Sequence, residues 1–194
     1  MLPESDRKTL LRLARETIQA ALEGGSPPRI PIPSTSLGTS ESAALKTPCG
    51  CFVTLHNRGQ LRGCIGTFVA RAPLHETVRQ MAGAALRDPR FLDRPVTADE
   101  LAAIDIEISV LSPLEKTTDP MNEVELGRHG ICIESPWGSG CFLPQVATET
   151  GWSKEEFLSH CAAGKAGLDA DAWKDPNVTV YRFEAEVFGE KDFA

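Results

Sequence analysis

Apolar residues recur along the chain at two different periods, and each period predicts its own kind of element. Near the start, Leu11, Ala14 and Ile18 are spaced three or four residues apart, which places one apolar stripe along a helix. We therefore expect a helix from Ser5 to Gly24. From Ile104 to Leu111, apolar and polar residues alternate instead, which predicts a strand with its isoleucines on one face.

Two pairs of shorter strand-like runs predict two β-hairpins. The first pair, Cys51 to His56 and Leu61 to Thr67, flanks Asn57-Arg58-Gly59-Gln60. We expect a loop of about three to five residues in this hairpin. The second pair, Gly130 to Glu134 and Cys141 to Leu143, is separated by a segment rich in Gly, Ser and Pro.

The remaining elements are predicted from helix-start signals and from one more strand pattern. Pro73 suits the first turn of a helix that runs to about Arg87. Sequences of the form T-x-x-E and S-x-x-E are typical of capping boxes and mark helix starts at Thr97 and Ser153. A final strand is expected from Val178 to Phe188.

These elements favour the α+β class with a largely antiparallel sheet, because hairpins replace regular βαβ alternation. The length of 194 residues predicts a single domain over residues 1–194, with room for a small subdomain within it. Gly, Pro, Ser and Thr dominate residues 25–42, so we expect an irregular connection there.

Charge and apolar content restrict the class of protein. The net charge of −7 argues against a nucleic-acid binder or a protein that binds anionic membranes. No apolar run reaches the length of a membrane span, and the polar segment from Met1 to Arg15 does not resemble a signal peptide. We therefore expect a cytoplasmic protein whose six cysteines are thiols rather than a disulfide framework.

The segment Leu61-Arg62-Gly63-Cys64-Ile65-Gly66 carries the leading candidate for chemistry. In a regular strand Arg62 and Cys64 point to one face, while Leu61 and Ile65 point to a core. A guanidinium near a thiol favours the thiolate, which is the nucleophilic form. The alternative is a structural one, in which Cys64 is a small buried residue and Arg62 pairs with a carboxylate such as Glu107.

A thiol nucleophile usually needs a base, and histidine supplies it most often. Of the four histidines, His129 is the best candidate, since it lies at the start of a predicted strand beside Gly130. A purely structural role for His129 remains the alternative. His56 precedes the first hairpin turn, and we expect it at the edge of the sheet.

A metal site is a second hypothesis for the same region. Cys49, Cys51, His56 and Cys64 supply soft ligands within a short span, but a C-x-C pair alone is a weak signal and the sequence contains no C-x-x-C. Two further cysteines, Cys132 and Cys141, are expected to face each other across the second hairpin. In the cytoplasm such a pair of thiols would be reduced.

Several short motifs, taken together, resemble one known family over essentially the whole chain. Beside the Leu61–Gly66 segment, they are Phe52-Val53-Thr54-Leu55, Asp88-Pro89-Arg90-Phe91, Ile108-Ser109-Val110-Leu111-Ser112, His129-Gly130-Ile131, Phe142-Leu143-Pro144-Gln145-Val146, Gly151-Trp152 and Lys165-Ala166-Gly167-Leu168. The chain resembles the AMMECR-one family, whose bacterial and archaeal members are called AmmeMemoRadiSam system protein A. The segment from Gly25 to Ser42 matches least.

The resemblance implies an α+β fold with a mainly antiparallel sheet flanked by helices, and a smaller α/β subdomain. It also implies an association with a Memo-like protein and a radical S-adenosylmethionine protein. Arg62, Cys64, His129 and Gln145 fall at signature positions, but the resemblance brings no settled reaction and no cofactor.

Three hypotheses for function follow. In the first, the protein is an enzyme or enzyme subunit that uses Cys64 as a thiolate, with Arg62 favouring its ionisation and His129 moving protons. In the second, it is a non-enzymatic partner of the Memo-like and radical proteins, with Trp137, Trp152 and Trp173 available as contact residues. In the third, it is a metal-binding module.

Overall fold

The computed structural model describes residues 1–25, 43–69 and 71–193, and the chain divides into two compact units. The first unit comprises Met1–Val110 and Glu186–Ala194, and the second comprises Leu111–Ala185. The irregular connection predicted over 25–42 lies, apart from Gly25, outside the described residues.

The first unit is built on the predicted hairpin and the alternating strand. Strand β1 (Cys51–Asn57) pairs antiparallel with β2 (Gln60–Thr67) on one side and with β3 (Ile104–Leu111) on the other. Since both sides of β1 are paired, His56 lies on an inner strand, and its predicted place at the sheet edge is wrong.

The turn of this hairpin is shorter than the sequence predicts. Asn57 pairs directly with Gln60, so the loop has only two residues, Arg58 and Gly59. Both adopt positive φ, 51° for Arg58 and 80° for Gly59. Such a pair forms the tight turn whose twist matches the strands, and a sequence pattern overlooks it because arginine rarely adopts this conformation.

Helices cover the apolar face of this sheet. They are α1 (Glu4–Leu22), α2 (Ala43–Lys46) and α3 (Leu74–Ala85); α1 packs on α3, and α3 packs on β1 and β2. Three short 3₁₀ helices, Pro89–Phe91, Ala98–Ala103 and Glu190–Phe193, complete the unit. The predicted apolar stripe and the alternating isoleucines meet in one core, which includes Leu10, Leu11, Ala14, Ile18, Val53, Leu55, Val78, Ile106, Ile108 and Phe188.

The second unit has its own antiparallel sheet. Strand β5 (His129–Ser135) pairs with β6 (Gly138–Phe142) and with β7 (Thr179–Gly189), and β4 (Glu115–Thr117) pairs with β7. The residues of β7 from Glu186 onward belong to the first unit. Ser135 pairs with Gly138, so this hairpin also turns over two residues.

Three helices pack the second core. They are α4 (Pro120–Glu123), α5 (Pro144–Thr150) and α6 (Lys154–Gly164), followed by a 3₁₀ turn at Ala172–Lys174. The predicted capping box starts α6: Ser153 Oγ accepts from the Glu156 N–H, and Glu156 accepts from the Ser153 N–H. Inside the unit, the rings of Phe142 and Phe157 stack at 5.5 Å.

The α+β class predicted from the sequence is confirmed, and every strand pair described above is antiparallel. Short elements such as β4 and α5 were not predicted, because three to seven residues carry too little periodicity. Over the residues that the structure describes, the helices are too short or too polar to span a lipid bilayer.

Two glycines of the Leu61–Gly66 segment are needed because other parts of the first unit press against the strand. A Cβ atom on Gly63 would lie 2.2 Å from the carbonyl oxygen of Ala85, at the end of α3. A Cβ on Gly66 would lie 2.3 Å from the Phe52 ring and 2.5 Å from the Cys51 carbonyl oxygen. The groups that approach the strand closely are therefore the chain's own, and α3 packs directly on its backbone.

We predict that Gly63→Ala destabilises the protein by about 1–3 kcal/mol, because the added methyl group must displace a helix carbonyl. Gly83→Ala, inside α3, is the matched control: its Cβ would only touch the Thr17 methyl at 3.9 Å. That variant should gain about 0.5–1 kcal/mol from helix propensity. Urea unfolding of both variants checks this, and equal stabilities would contradict the close approach at Gly63.

Candidate functional site

Cys64 lies on β2 directly opposite Thr54 of β1, and Thr54 lies directly opposite Glu107 of β3. The three side chains therefore form a row across the sheet, on the face opposite the buried residues Val53 and Leu55. Cys64 is half-exposed, and its Sγ accepts a hydrogen bond from Thr54 Oγ1 at 3.2 Å. The thiol faces away from the core.

An aspartate and an arginine hold the backbone of Cys64. The Cys64 N–H donates to Asp88 Oδ2 at 2.9 Å, and the Cys64 carbonyl accepts from Arg90 Nη2 at 3.3 Å. Asp88 and Arg90 are joined to each other by a salt bridge of 2.6 Å. The pair thus binds both backbone groups of Cys64 on the outer edge of β2, where none of the strands in the described ranges supplies partners.

Asp88 is almost completely buried, with 2% of its surface exposed. Its oxygens accept from the Arg90 guanidinium, from the Cys64 N–H and from the Arg90 N–H. These donors, the Arg90 side chain above all, hold the pKa of Asp88 at about 2 although burial alone would raise it. Asp88 is therefore a permanent anion under ordinary conditions, and Arg90 is the cation next to Cys64.

Arg62 does not serve as that cation. Its guanidinium binds both oxygens of Glu100, at 3.1 and 2.8 Å, and the Pro95 carbonyl at 3.3 Å. Glu100 also accepts from Asn57 and from the Thr97 N–H. The carboxylate that pairs with Arg62 is therefore Glu100 and not Glu107. The Arg62 guanidinium holds the pKa of Glu100 at about 2.

A break in the strand register explains where Arg62 points. Leu55 pairs with Gly63 and His56 pairs with Leu61, so Arg62 has no partner on β1. This is a β-bulge, which re-aims the side chains around it. The expectation that Arg62 shares a face with Cys64 assumes a regular strand, and so does the burial predicted for Leu61, which is 36% exposed.

A surface cavity of about 500 Å³ lies at the turn end of this hairpin. Its lining includes three arginines, Arg58, Arg62 and Arg94, together with Glu100. Glu100 pairs with Arg62 and Asp93 lies 3.8 Å from Arg94, so these residues keep a small excess of positive charge, which favours an anionic group.

The four ligands of the metal hypothesis do not converge. Cys51 is buried in the core on one face of β1, whereas Cys64 and Thr54 lie on the opposite face. Across the described part of the chain, no group of three or more His, Cys, Asp or Glu side chains could hold a metal ion. The alternation of side chains along β1 and β2 places Cys51 and Cys64 on opposite faces of the sheet, and the metal-site hypothesis is therefore not supported.

The other thiols differ from Cys64 in their surroundings. Burial raises the pKa of both Cys51 and Cys161 to about 12. Cys132 is also buried, and Cys49 and Cys141 are half-exposed.

His129 lies at the start of β5 in the second unit, and it is 5% exposed. Its Nδ1 accepts from the Glu125 N–H at 3.0 Å, and its Nε2 lies 3.8 Å from Glu184. These contacts close the turn that leads into β5. Nδ1 is therefore engaged as an acceptor within the turn, and Nε2 is the ring nitrogen that faces Glu184.

Comparison with known proteins agrees with this arrangement of motifs. A family model described as AMMECR1 matches residues 11–188. The chain belongs to the AMMECR1 family. This confirms the resemblance inferred from the short motifs, and the matched range includes Cys64, Asp88, Arg90 and His129.

Archaeal relatives support the membership along the whole length of the chain. A protein of Methanothermobacter thermautotrophicus is 39% identical over 97% of this chain and 96% of its own. A protein of Thermococcus gammatolerans is 40% identical over 94% and 89%, respectively. The crystal structure of the uncharacterised protein PH0010 from Pyrococcus horikoshii matches with a TM-score of 0.81 and 37% identity, covering 94% of this chain and 90% of that one. These names state no activity.

In this AMMECR1-family chain, the residues around Cys64 that sequence reasoning missed are Thr54, Asp88 and Arg90. The two-residue turn alone would pair Cys64 with Val53, and the bulge at Arg62 shifts the register by one so that Cys64 pairs with Thr54. Asp88 and Arg90 stand in a motif that was noted, Asp88-Pro89-Arg90-Phe91, but no sequence signal connects it to Cys64, which is 24 residues away.

The burial of Asp88 predicts a pH dependence of stability. Its pKa is about 2 in the folded chain and about 3.9 in unfolded chains, so it stabilises the fold above pH 4 and this contribution is lost as the pH falls towards 2. Asp88→Asn should therefore cost about 1–2 kcal/mol at neutral pH and should flatten the loss of stability between pH 4 and 2.

Urea unfolding at several pH values measures this difference. Asp93→Asn is the control, because Asp93 lies in the same region but its side chain is 77% exposed. Parallel pH curves for wild type and Asp88→Asn would show that the buried carboxylate does not stabilise the fold as an anion.

Proposed function

We propose that this AMMECR1-family protein is a thiol-dependent enzyme or enzyme subunit in which Cys64 is the reacting group. The observation that carries the proposal is the way Cys64 is held. Its backbone is fixed at both polar groups by Asp88 and Arg90, while its half-exposed thiol points away from the core towards the donor Thr54. Fixed geometry around an accessible nucleophile is what covalent catalysis requires.

Each neighbour has a separate part in this proposal. Cys64 acts as the nucleophile, and Thr54 donates a hydrogen bond to its sulfur. Arg90 holds the Cys64 carbonyl and is itself held by Asp88, so it is the arginine that positions the cysteine, the part that sequence reasoning gave to Arg62. Arg62 instead positions the strand through Glu100.

Glu107, directly opposite Thr54, is the proposed proton acceptor within the first unit. The role predicted for His129 as the base remains a prediction, and its hydrogen bond with the Glu125 N–H favours a structural part.

The cavity beside Arg62 supports one substrate class, and it lies at the turn end of the hairpin, with Cys64 outside its lining. A small molecule with a carboxylate or phosphate fits a cavity lined by Arg58 and Arg94 better than a neutral one does. The resemblance to AmmeMemoRadiSam system protein A adds that the protein acts together with a Memo-like protein and a radical S-adenosylmethionine protein.

We predict that iodoacetamide modifies Cys64 faster than the buried thiols Cys51 and Cys161 of the native protein at neutral pH. Cys51 and Cys161 react slowly because burial raises the pKa of each to about 12. Mass spectrometry of peptides after timed alkylation gives the rate for each site. A rate at Cys64 no higher than that of an unfolded-peptide thiol would remove the proposal.

Variants at two arginines test which of them positions Cys64. Arg90→Ala should slow the alkylation of Cys64 by roughly threefold or more because the Cys64 carbonyl loses its donor, and Arg90→Lys should restore part of the rate because it keeps a donor. Arg62→Ala should have a smaller effect, since Arg62 binds Glu100 and not the cysteine. A larger effect of Arg62→Ala than of Arg90→Ala would contradict this assignment.

A second candidate function, that of a non-enzymatic partner protein, is favoured by one observation. Trp137, in the turn between β5 and β6, is 75% exposed. Trp173 is buried and donates to Ser159, and Trp152 packs on His160, so Trp137 alone of the three tryptophans fits a contact residue.

Co-purification with the Memo-like and the radical proteins of the same organism distinguishes the two functions. A pure partner role predicts binding that Trp137→Ala abolishes and Cys64→Ser leaves intact, together with slow alkylation of Cys64. Rapid alkylation of Cys64, without binding at micromolar concentrations of either protein, would leave only the enzyme proposal.

A further inference from the structure

The second unit contains a pair of cysteines that takes no part in the proposed function. Cys132 on β5 and Cys141 on β6 are direct partners in the strand register, as the sequence predicts. Each thiol shifts the pKa of the other, downward for Cys132 and upward for Cys141. Cys132 is 4% exposed, and Cys141 is half-exposed, so one sulfur of the pair is accessible from solvent.

We propose that Cys132 and Cys141 form a reversible disulfide when the protein meets a peroxide or a small-molecule disulfide. Direct partners in an antiparallel pair have Cα atoms about 4.5–5.5 Å apart, which is within the range of about 4.4–6.8 Å found for disulfides. The register already places the two cysteines opposite each other, so the bond requires no change in strand pairing.

The chemistry balances with hydrogen peroxide as the oxidant. One thiolate attacks an oxygen of the peroxide, which gives a sulfenic acid and, after protonation, one water. The second thiol then attacks the sulfenic sulfur, forming the S–S bond and releasing a second water. The two thiols together lose two electrons and two protons, and the peroxide gains them. A thiol reductant reverses the reaction by exchange.

The effect of each thiol on the other prepares the pair for the first step. It lowers the pKa of Cys132, because the Cys141 thiol can donate to the thiolate of Cys132, and it raises the pKa of Cys141 for the same reason. A low pKa next to a second thiol is typical of redox-sensitive cysteines.

A third cysteine, Cys161, lies close to the pair, but its thiol is hydrogen-bonded to a backbone carbonyl. Cys161 on α6 is buried, and its thiol donates to the Gly140 carbonyl at 3.4 Å. Burial raises the pKa of Cys161 to about 12, so it competes poorly as a nucleophile. The register therefore selects Cys132 and Cys141 as the disulfide partners.

The bond would lock the hairpin that carries Trp137. Cys132 and Cys141 lie on the two strands below the turn in which Trp137 is exposed. A covalent link between the strands keeps that hairpin closed in the unfolded chain too, and so raises the stability of the second unit.

Peptide mapping after oxidation tests the proposal. The full-length Cys64→Ser protein, which removes exchange with Cys64, is treated with hydrogen peroxide, alkylated under denaturing conditions and cleaved after glutamate. Because Glu134 separates the two cysteines, the disulfide joins peptides 126–134 and 135–149. We expect this linked pair, its loss on reduction with dithiothreitol, and a higher Tm for the oxidised protein.

Two controls keep the outcome decisive. Cys161→Ser should still give the linked peptides, whereas Cys141→Ser should give none and should leave Cys132 alkylated or as a sulfenic acid. The proposal fails if wild-type Cys132 and Cys141 stay as separately alkylated thiols while other thiols of the protein are oxidised. A link from either cysteine to Cys161 or Cys49 would also overturn it. None of these results depends on the reactivity of Cys64.

Discussion

The buried carboxylate of Asp88 is the constraint on which the candidate site depends. A carboxylate with 2% exposure is costly unless every lone pair finds a donor, and the Cys64 N–H and the Arg90 guanidinium are among those donors. The same bonds complete the outer edge of β2, which would otherwise offer unpaired backbone groups to other chains. Arg90 in turn reaches the Cys64 carbonyl. One buried anion thus sets the strand edge, the backbone of the cysteine and the charge beside it.

Most of the fold could be predicted because its long elements follow a single period. The apolar stripe of α1 and the alternation in β3 both face one core, so the simple patterns and the packing agree. The turns could not be predicted in the same way. Arg58 adopts a left-handed conformation that its residue type disfavours, and the pairing of Asn57 with Gln60 imposes it. The pairing of the two strands sets the loop length, and the sequence of the loop alone does not predict that pairing.

Much less of the site could be predicted, and the difference has a physical origin. Cys64 was named because its segment is distinctive, but its neighbours come from β1 and from the loop after α3. A contact between residues 24 positions apart has no local signature. The alternation of side chains along a regular strand predicts Arg62 as the cation next to Cys64. The β-bulge interrupts this alternation, because it leaves Arg62 without a partner on β1. The sequence predicts Cys64 as the reacting residue, and the structure places Arg90 rather than Arg62 against its backbone.

The structural alternative for Cys64, a small cysteine that fills the core, is difficult to reconcile with its face of the sheet. Cys51, Val53 and Leu55 occupy the core side of β1, and Cys64 lies with Thr54 on the other side. Cys51 and Cys161 show what packing does to a thiol: both are fully buried, and burial raises their pKa to about 12. The sheet places Cys64 on the face away from the core, and the buried carboxylate of Asp88, together with its exposed partner Arg90, fixes the backbone of that cysteine.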